Sequence, residues 1–552
     1  MIETKMSSAL VDSSMLYFLT FVTVFLAVYT YGRKYMRMLQ VSSKIPGPDF
    51  KDTLRTSLKT FTAEPFEFYK YAIEFQSNFQ DIAKVWFGPK LLIFLYHPAD
   101  IELILSSNVH IDKSAEYSVF KPWFGNGLLI STGAKWKHHR KMIAPTFHQS
   151  ILKTFVPKFY ENSLKVCEKM KREKGKNFDC HDYMSGTTVD ILLETAMGYN
   201  APRTEETGYN YAMAVMKLCD ILHRRHYKVW LRPDYFFKKT VMALEHTKLL
   251  KVITGLTTKV VHNKKKEVLK KGVEAIENSF EKVEPVVVEK SETISGYNYG
   301  TAVRDDLDDN DENDIGEKKR LAFLEQLTVN SQRPDVDFTE EEVLDQVNTI
   351  MFEGHDTTAA GSSFALCMMG IHQDIQNKVR QEVDEIFQGS DRECTFADTL
   401  EMKYLERVIM ETLRMYPPVP LIARQLQEEV ELRSGKYSLP VGATVVVVQA
   451  VLHRRPDVFP NPDVFNPDNF LPEKCQDRHY YSYIPFSAGP RSCVGRKFAM
   501  LKLKVLLSTI FRKYRVHCDM KEEDFKLQAD IILKIADGFN IRLEPRTDIP
   551  CC

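Results

Sequence analysis

The chain has 552 residues, 44% hydrophobic and 27% charged, a balance that excludes disordered, collagen-like and wholly membrane-embedded chains. That length suits one large enzyme fold or roughly three average domains, and exceeds any small binding module. Lys+Arg and Asp+Glu are equal at 74 each, so the net charge is zero and bulk electrostatics gives no reason to expect a nucleic-acid partner. Ten cysteines without a CxxC pair do not form a disulfide framework and read as reduced thiols of a cytosol-facing protein.

In chain order, the first element is Met15–Tyr31, 17 residues without a charge, at the lower limit for one membrane-spanning helix. Gly32, Arg33, Lys34 and Arg37 follow, and by the positive-inside rule they hold the downstream chain in the cytosol. A cleaved signal peptide is the rival reading, but its apolar core would be shorter and end in small residues, where this run ends Val-Tyr-Thr-Tyr. The predicted organisation is an anchor with its basic stop over 1–44 and a catalytic domain over 45–552. The turn Lys44-Ile-Pro-Gly-Pro48 reads as a stiff hinge between them.

Residues 49–280 alternate helical patterns with short apolar strands such as Lys90–Tyr96, which predicts a mainly α fold with a minor sheet. In Trp136-Lys-His-His-Arg140 the Trp and Arg share one helix face, while adjacent His138 and His139 diverge and read as exposed. The segment 281–317 is an insertion whose stretch Asp305–Glu317 carries eight acidic residues in 13. It cannot order itself by burial. It reads as a solvated surface loop, with docking of a basic partner or of cations as the sharper alternative.

Val343–Met369 reads as one long apolar helix interrupted by Phe352-Glu-Gly-His-Asp-Thr-Thr358. A mid-helix Gly costs about 1 kcal/mol, and a buried Asp needs a partner. The bland reading is a kinked core helix with threonine back-bonding. Glu411-Thr-Leu-Arg414 lies on a helical run ending at Pro417-Pro418; alone, the pair is an ordinary surface contact worth about 0.3 kcal/mol. Finally, a strand-like approach over Tyr480–Phe486 meets Phe486-Ser-Ala-Gly-Pro-Arg-Ser-Cys-Val-Gly495. Its glycines permit a tight loop that projects the Cys493 sulfur, with Arg491 as a fixed cation beside it.

This ten-residue pattern, F-x-x-G-x-R-x-C-x-G, resembles the signature of the cytochrome P-450 superfamily of haem-thiolate monooxygenases. The other motifs then fall in that family's order. The resemblance implies a haem-thiolate fold holding haem b, with Cys493 as the proximal thiolate to iron and Phe486 and Arg491 beside the cofactor. It places Trp136, Arg140 and Arg424 on the haem propionates. Glu411 and Arg414 become a buried ion pair of the haem-side core. The family's usual third member is an Arg in F-x-P-E-R-F, and Phe465-Asn-Pro-Asp-Asn-Phe470 has Asn469 there instead. Asp356 and Thr357 resemble the distal acid–alcohol couple, Thr357 holding a water or the oxygen ligand and Asp356 relaying protons.

The longer run Met351–Ala359 looks like family four, whose members act on fatty acids and similar chains. In several of them the glutamate matching Glu353 is esterified to a haem methyl, so ester-linked and free haem b are the two expected states. The acidic insertion, followed by Lys318-Lys-Arg320, resembles that of the insect 4G-type subfamily, which converts long-chain aldehydes to cuticular hydrocarbons one carbon shorter. Oxidative decarbonylation is thus the implied reaction, with fatty-acid ω-hydroxylation or xenobiotic oxidation as the alternative and a non-catalytic haem protein as a third reading. Tyr117–Phe124 offers aromatic surface where the family covers its substrate pocket, or else ordinary packing. No Rossmann or flavin fingerprint appears, so electrons are expected from a membrane-bound NADPH–cytochrome P-450 reductase, with cytochrome b5 as a further donor. Lys135, Lys137, Arg140, Lys141, Arg496 and Lys497 are the cations expected to face it. The implied location is the endoplasmic reticulum membrane, with a lipophilic long-chain substrate.

Overall fold

The computed structural model describes residues 2–49, 51–53, 55, 64–200, 207–273, 276 and 321–547. The acidic segment 281–317 lies outside them, as does Cys551-Cys552. Helices of eight residues or more are α1 (Ile2–Ser42), α2 (Pro65–Ser77), α3 (Pro98–Leu105), α4 (Gly133–Ile143), α5 (Gln149–Met170), α6 (His181–Glu194) and α7 (Thr207–Tyr227). They continue with α8 (Val241–Lys271), α9 (Phe323–Ser331), α10 (Glu340–Ile371), α11 (Gln373–Phe387), α12 (Lys403–Met415) and α13 (Arg496–Lys513). Strands are β1 (Ile82–Phe87), β2 (Lys90–Leu95), β3 (Phe178–Asp179), β4 (Leu421–Gln425), β5 (Val430–Glu431) and β6 (Ser438–Leu439). The last five are β7 (Thr444–Val448), β8 (Tyr514–His517), β9 (Leu527–Asp530), β10 (Ile532–Ile535) and β11 (Asn540–Pro545).

Helix α10 is the axis of the molecule. A capping box between Thr339 and Glu342 starts it, and three glutamates in its first turn oppose the positive end of its dipole. From Gln346 to Gly370 nearly every side chain is buried, because α6, α9, α12 and α13 pack around it. It is one continuous helix, as expected, with the polar motif Phe352–Thr358 inside it. Apolar faces of α5, α6, α7 and α10–α13 merge into one core. A second core, with Ile93, Leu95, Val445 and Val447, lies under the main sheet.

That sheet has the order β1-β2-β7-β4, with β2 and β7 parallel and the other pairs antiparallel. The run Thr444–Val448 is buried throughout, which explains its unbroken valine sequence. Strands β3, β11 and β8 form a second sheet, while β9/β10 and β5/β6 are hairpins. The mainly α, minor β fold is as expected.

Three local expectations need correction. Tyr480–Phe486 is not a strand: a short 3-10 turn covers Tyr480–Ser482, and the Ile484 amide donates to the His453 Nε2 (2.9 Å) instead of a neighbouring strand. The Pro-Gly-Pro segment does not stand free as a hinge. It docks on β1, where the Lys84 amide donates to the Pro46 carbonyl (2.8 Å), and a Cβ on Gly47 would strike the Lys84 carbonyl. His139, expected at the surface, is buried and bonds Gln346 through Nδ1 (3.0 Å). At the N-terminus α1 runs unbroken for 41 residues, with Tyr17, Phe18, Phe21, Phe25, Val28 and Tyr31 exposed along it. Among the described residues, no helix is long and apolar enough to cross a membrane.

Candidate active site around Cys493

The Cys493 loop is built by backbone geometry. Its amide donates back to the Phe486 carbonyl (2.9 Å), closing the turn. Ser487 and Gly489 both take positive φ, and a Cβ on Gly489 would collide with the Leu105 carbonyl of α3. Gly495 needs no such freedom; it caps α13 at φ −97, and its N–H points at the sulfur. Among the described cysteines only Cys493 is exposed as a thiol. The surrounding protein still pushes that thiol up to about 11, through burial and then the Glu353 charge. The two observations agree if the sulfur opens onto space on one side and dense protein on the other.

Arg491 and Arg140 hold this loop. Arg491 donates to the carbonyls of Ile111 (2.9 Å), Leu128 (3.0 Å) and Ser131, and stacks over Trp136 at 4.3 Å. Burial, and then repulsion from Arg424, draw its guanidinium down to about 9. Arg140 donates to the carbonyl (2.8 Å) and hydroxyl (3.3 Å) of Ser492, the residue before the cysteine. Trp136, Arg140 and Arg491 therefore form one unit, with the two arginines spent largely on backbone.

On the side of the loop, α10 carries Glu353 and, one turn on, Thr357, with Gly354 between them in sequence. Between Gln346 and Gly370 these three are the residues left partly open; Glu353 and Thr357, at i and i+4, share one helix face, while a Cβ on Gly354 would point at Leu192 of α6. The Thr357 hydroxyl donates to the Glu353 carbonyl (2.8 Å), the back-bonding expected of a core threonine. Burial raises the Glu353 carboxyl to about 7, against the pull of Lys113, Arg140 and Arg491. Lys113, which no motif singled out, is held well below its ordinary range by burial and by Arg424 and Arg491. Arg424, on β4, is buried and donates from Nη1 to its neighbour's carbonyl (3.1 Å), and its Nη2 has no partner among the described residues. Burial lowers its guanidinium as well.

Lys113, Arg140, Arg424 and Arg491 thus surround one region against the carboxylates of Glu353 and Asp112. Buried cations short of counter-charge are costly, and an anionic prosthetic group would satisfy them. Among the described residues no cluster of three or more His, Cys, Asp or Glu is placed to hold a metal. A metal on Cys493 would have to bring its remaining ligands with it. Haem b meets both demands, with four ring nitrogens and two propionates.

Not every expected residue is here. Asp356 turns from this face toward α7 and the β9/β10 hairpin; burial raises its carboxyl to about 6, with Lys534 opposing and Asp530 adding. Glu411 and Arg414 lie elsewhere, both fully buried, joined by Nε–Oε2 (2.7 Å) and Nη2–Oε1 (2.8 Å) bonds. Arg414 also donates to the carbonyls of His453, Pro462 and Val464. The missing third arginine is replaced by Asn469, whose amide donates to Glu411 (3.1 Å) beside the Asn466 N–H (2.7 Å). Arg140 and Arg496 are buried, which corrects their assignment to a partner-facing surface; Lys137 and Lys141 are exposed, and Lys135 pairs with Glu342 (2.7 Å). The aromatic segment packs as Phe120, Trp123 and Phe124 against Phe352, with centroids 4.5–6.4 Å apart, forming an apolar wall next to Glu353.

A helical fold with a small sheet, a loop-borne thiol and a ring of under-neutralised cations defines a haem-thiolate protein. The chain belongs to the cytochrome P450 family: residues 57–541 match the family profile described as Cytochrome P450. It is 52% identical to Cytochrome P450 4g15 of Drosophila melanogaster, across 97% of this chain and 98% of that protein. Identity is also 52% to Cytochrome P450 4g1 of the same fly, across 97% and 95%. Human Cytochrome P450 4V2 is 35% identical across 87% and 86%. The chain is therefore a family-four P450 of the 4G type, a monooxygenase whose cofactor is haem b.

Proposed function

We propose that this P450 converts long-chain aldehydes to hydrocarbons one carbon shorter, using dioxygen as oxidant and NADPH-derived electrons. The observation that carries the proposal is its 52% identity, over nearly the whole chain, to two 4G-type relatives. The buried aromatic cluster of Phe120, Trp123, Phe124 and Phe352 supports it, since it makes the interior beside Glu353 apolar. Fatty-acid ω-hydroxylation would use the same residues and is separated by product.

Bound through a thiolate, haem b supplies dioxygen activation. Cys493 provides the sulfur, and Arg140 and Arg491 fix its loop. Lys113 and Arg424 would hold the propionates, with Trp136 stacked behind Arg491. Thr357 presents its hydroxyl on the partly open side of α10. Asp356, whose raised carboxyl keeps a proton available near neutral pH, feeds protons from the β9/β10 side. Glu353 is the attachment point for an ester to the haem, supported by its position on the open helix face. Haem that stays with the protein through acid–organic extraction supports the ester, and quantitative release contradicts it.

Exposed aromatic and apolar side chains along α1, with Arg33, Lys34 and Arg37 after them, support a single anchor in the endoplasmic reticulum membrane and a cytosolic catalytic domain. Electrons come from NADPH–cytochrome P-450 reductase, with cytochrome b5 as a further donor, docking near Lys137 and Lys141. The full-length protein with reductase, NADPH and a saturated long-chain aldehyde gives the test. An alkane shortened by one carbon, seen by mass spectrometry, supports decarbonylation; a hydroxylated or carboxylated product of unchanged length overturns it.

A further inference from the structure

Helix α13 starts three residues after Cys493 and carries two fully buried lysines, Lys502 and Lys504. They are paired very differently. Lys504 bonds the Glu406 carboxylate of α12 and the Thr399 carbonyl (2.9 Å), so its charge is matched. Lys502 has no carboxylate at ion-pair distance among the described residues. Its ammonium donates to the backbone carbonyl of Gly354 on α10 (2.7 Å) and lies 5.2 Å from the Phe498 ring. Burial alone draws that ammonium down to about 7. A core lysine matched only by a neutral carbonyl costs stability, and an apolar side chain of similar size would fit the site better. Stability is therefore no reason for its presence.

The carbonyl it holds is well placed. Gly354 lies between Glu353 and Thr357 in sequence, within the same turn of α10. On the other side of the same turn, α6 presses closely: a Cβ on Gly354 would come within 3.0 Å of the Leu192 methyls, and Thr188 donates to the His355 carbonyl (3.3 Å). The Thr358 hydroxyl also reaches the Gly354 carbonyl (3.3 Å). The turn is thus clamped between α6 and a single side chain from the helix that continues the Cys493 loop.

We infer that Lys502 is a positioning residue: its bond to the Gly354 carbonyl sets the Glu353–Thr357 turn against the Cys493 segment. It thereby fixes how the Thr357 hydroxyl faces the site, so that electrons end in product and not in hydrogen peroxide. This rests on Cys493 as the sulfur ligand. A wild-type protein lacking the thiolate band of the reduced carbon-monoxide complex would overturn that assignment separately, whatever Lys502 does.

The test compares Lys502→Met with Lys504→Met in the full-length holoprotein. For Lys502→Met, the unfolding midpoint is unchanged or higher and the thiolate band is retained. Amide hydrogen exchange in peptides covering 351–358 is about tenfold faster, as expected on losing one hydrogen bond to a charged group. Peroxide release per NADPH, measured with reductase and no substrate, rises several-fold. Lys504→Met leaves Glu406 unmatched, so it lowers the midpoint while exchange at 351–358 and peroxide release stay at wild-type values. Unchanged exchange and peroxide release in Lys502→Met overturn the inference. A lowered midpoint with unchanged exchange overturns it too, because Lys502 would then be a structural residue only.

Discussion

Two buried ionic regions, one on α12 and one reached from β4, are built on opposite plans. Glu411 and Arg414 are themselves fully bonded: both carboxylate oxygens accept, and the guanidinium spends its remaining protons on three carbonyls. Around Arg424 the cations outnumber the carboxylates, and among the described residues the Arg424 Nη2 stays unmet. A satisfied buried network needs all its own members and holds the fold. An unsatisfied one is stabilised only by something that arrives later. The difference separates the scaffold of this P450 from the seat of its cofactor without reference to any motif.

Substitutions should separate the regions further. Cys493→Ala is expected to abolish the thiolate band of the reduced carbon-monoxide complex, and an unchanged spectrum would refute the ligand assignment. Arg414→Met leaves Glu411 charged and buried, so a loss of about 3–5 kcal/mol in denaturant unfolding is expected. Arg424→Met should cost the polypeptide nothing and weaken only its grip on the haem.

The two regions also respond oppositely to pH. Burial, then Arg414 and Arg454, lower His453 from 6.5 to about 3, so it is neutral in the fold. Its contribution is present above about 6.5 and is lost as pH falls toward 3. Burial raises Glu353 from 4.5 to about 7, so the folded chain holds its proton more tightly than the unfolded one. Its contribution is present below 4.5 and is lost as pH rises toward 7. In haem-free protein, Glu353→Gln should flatten the neutral side of the stability profile and leave the acid side alone. Asn469→Ala should cost about 1.5–3 kcal/mol, one hydrogen bond to the Glu411 carboxylate. Removing Tyr297–Asp314 should leave haem content unchanged, and loss of haem would mean that the insertion packs on the core.

The motifs that were legible are those fixed by local backbone. The Cys493 loop needs a left-handed Gly489 against Leu105, and Glu411 and Arg414 meet at i, i+3 within one helix. What stayed hidden depends on distant chain. Lys113 has no motif, and reaches the site only because the segment after α3 passes beside β4 and the Cys493 loop. Asn469 reads as a missing arginine until its amide is seen on Glu411. Lys502 looks like a solvated lysine of an amphipathic helix, yet α13 is buried nearly all round. The family resemblance pairs Asp356 with Thr357, but neighbours on a helix point about 100° apart, and the surroundings of Asp356 belong to β9/β10.

The most direct measurement is haem transfer to an excess of apomyoglobin, run in a Glu353→Gln background where no ester can form, with and without Arg424→Met. Haem should leave the double variant at least tenfold faster while the unfolding midpoints of the two haem-free proteins agree. Equal transfer rates, or a midpoint that falls with Arg424, would contradict the division into scaffold and cofactor seat.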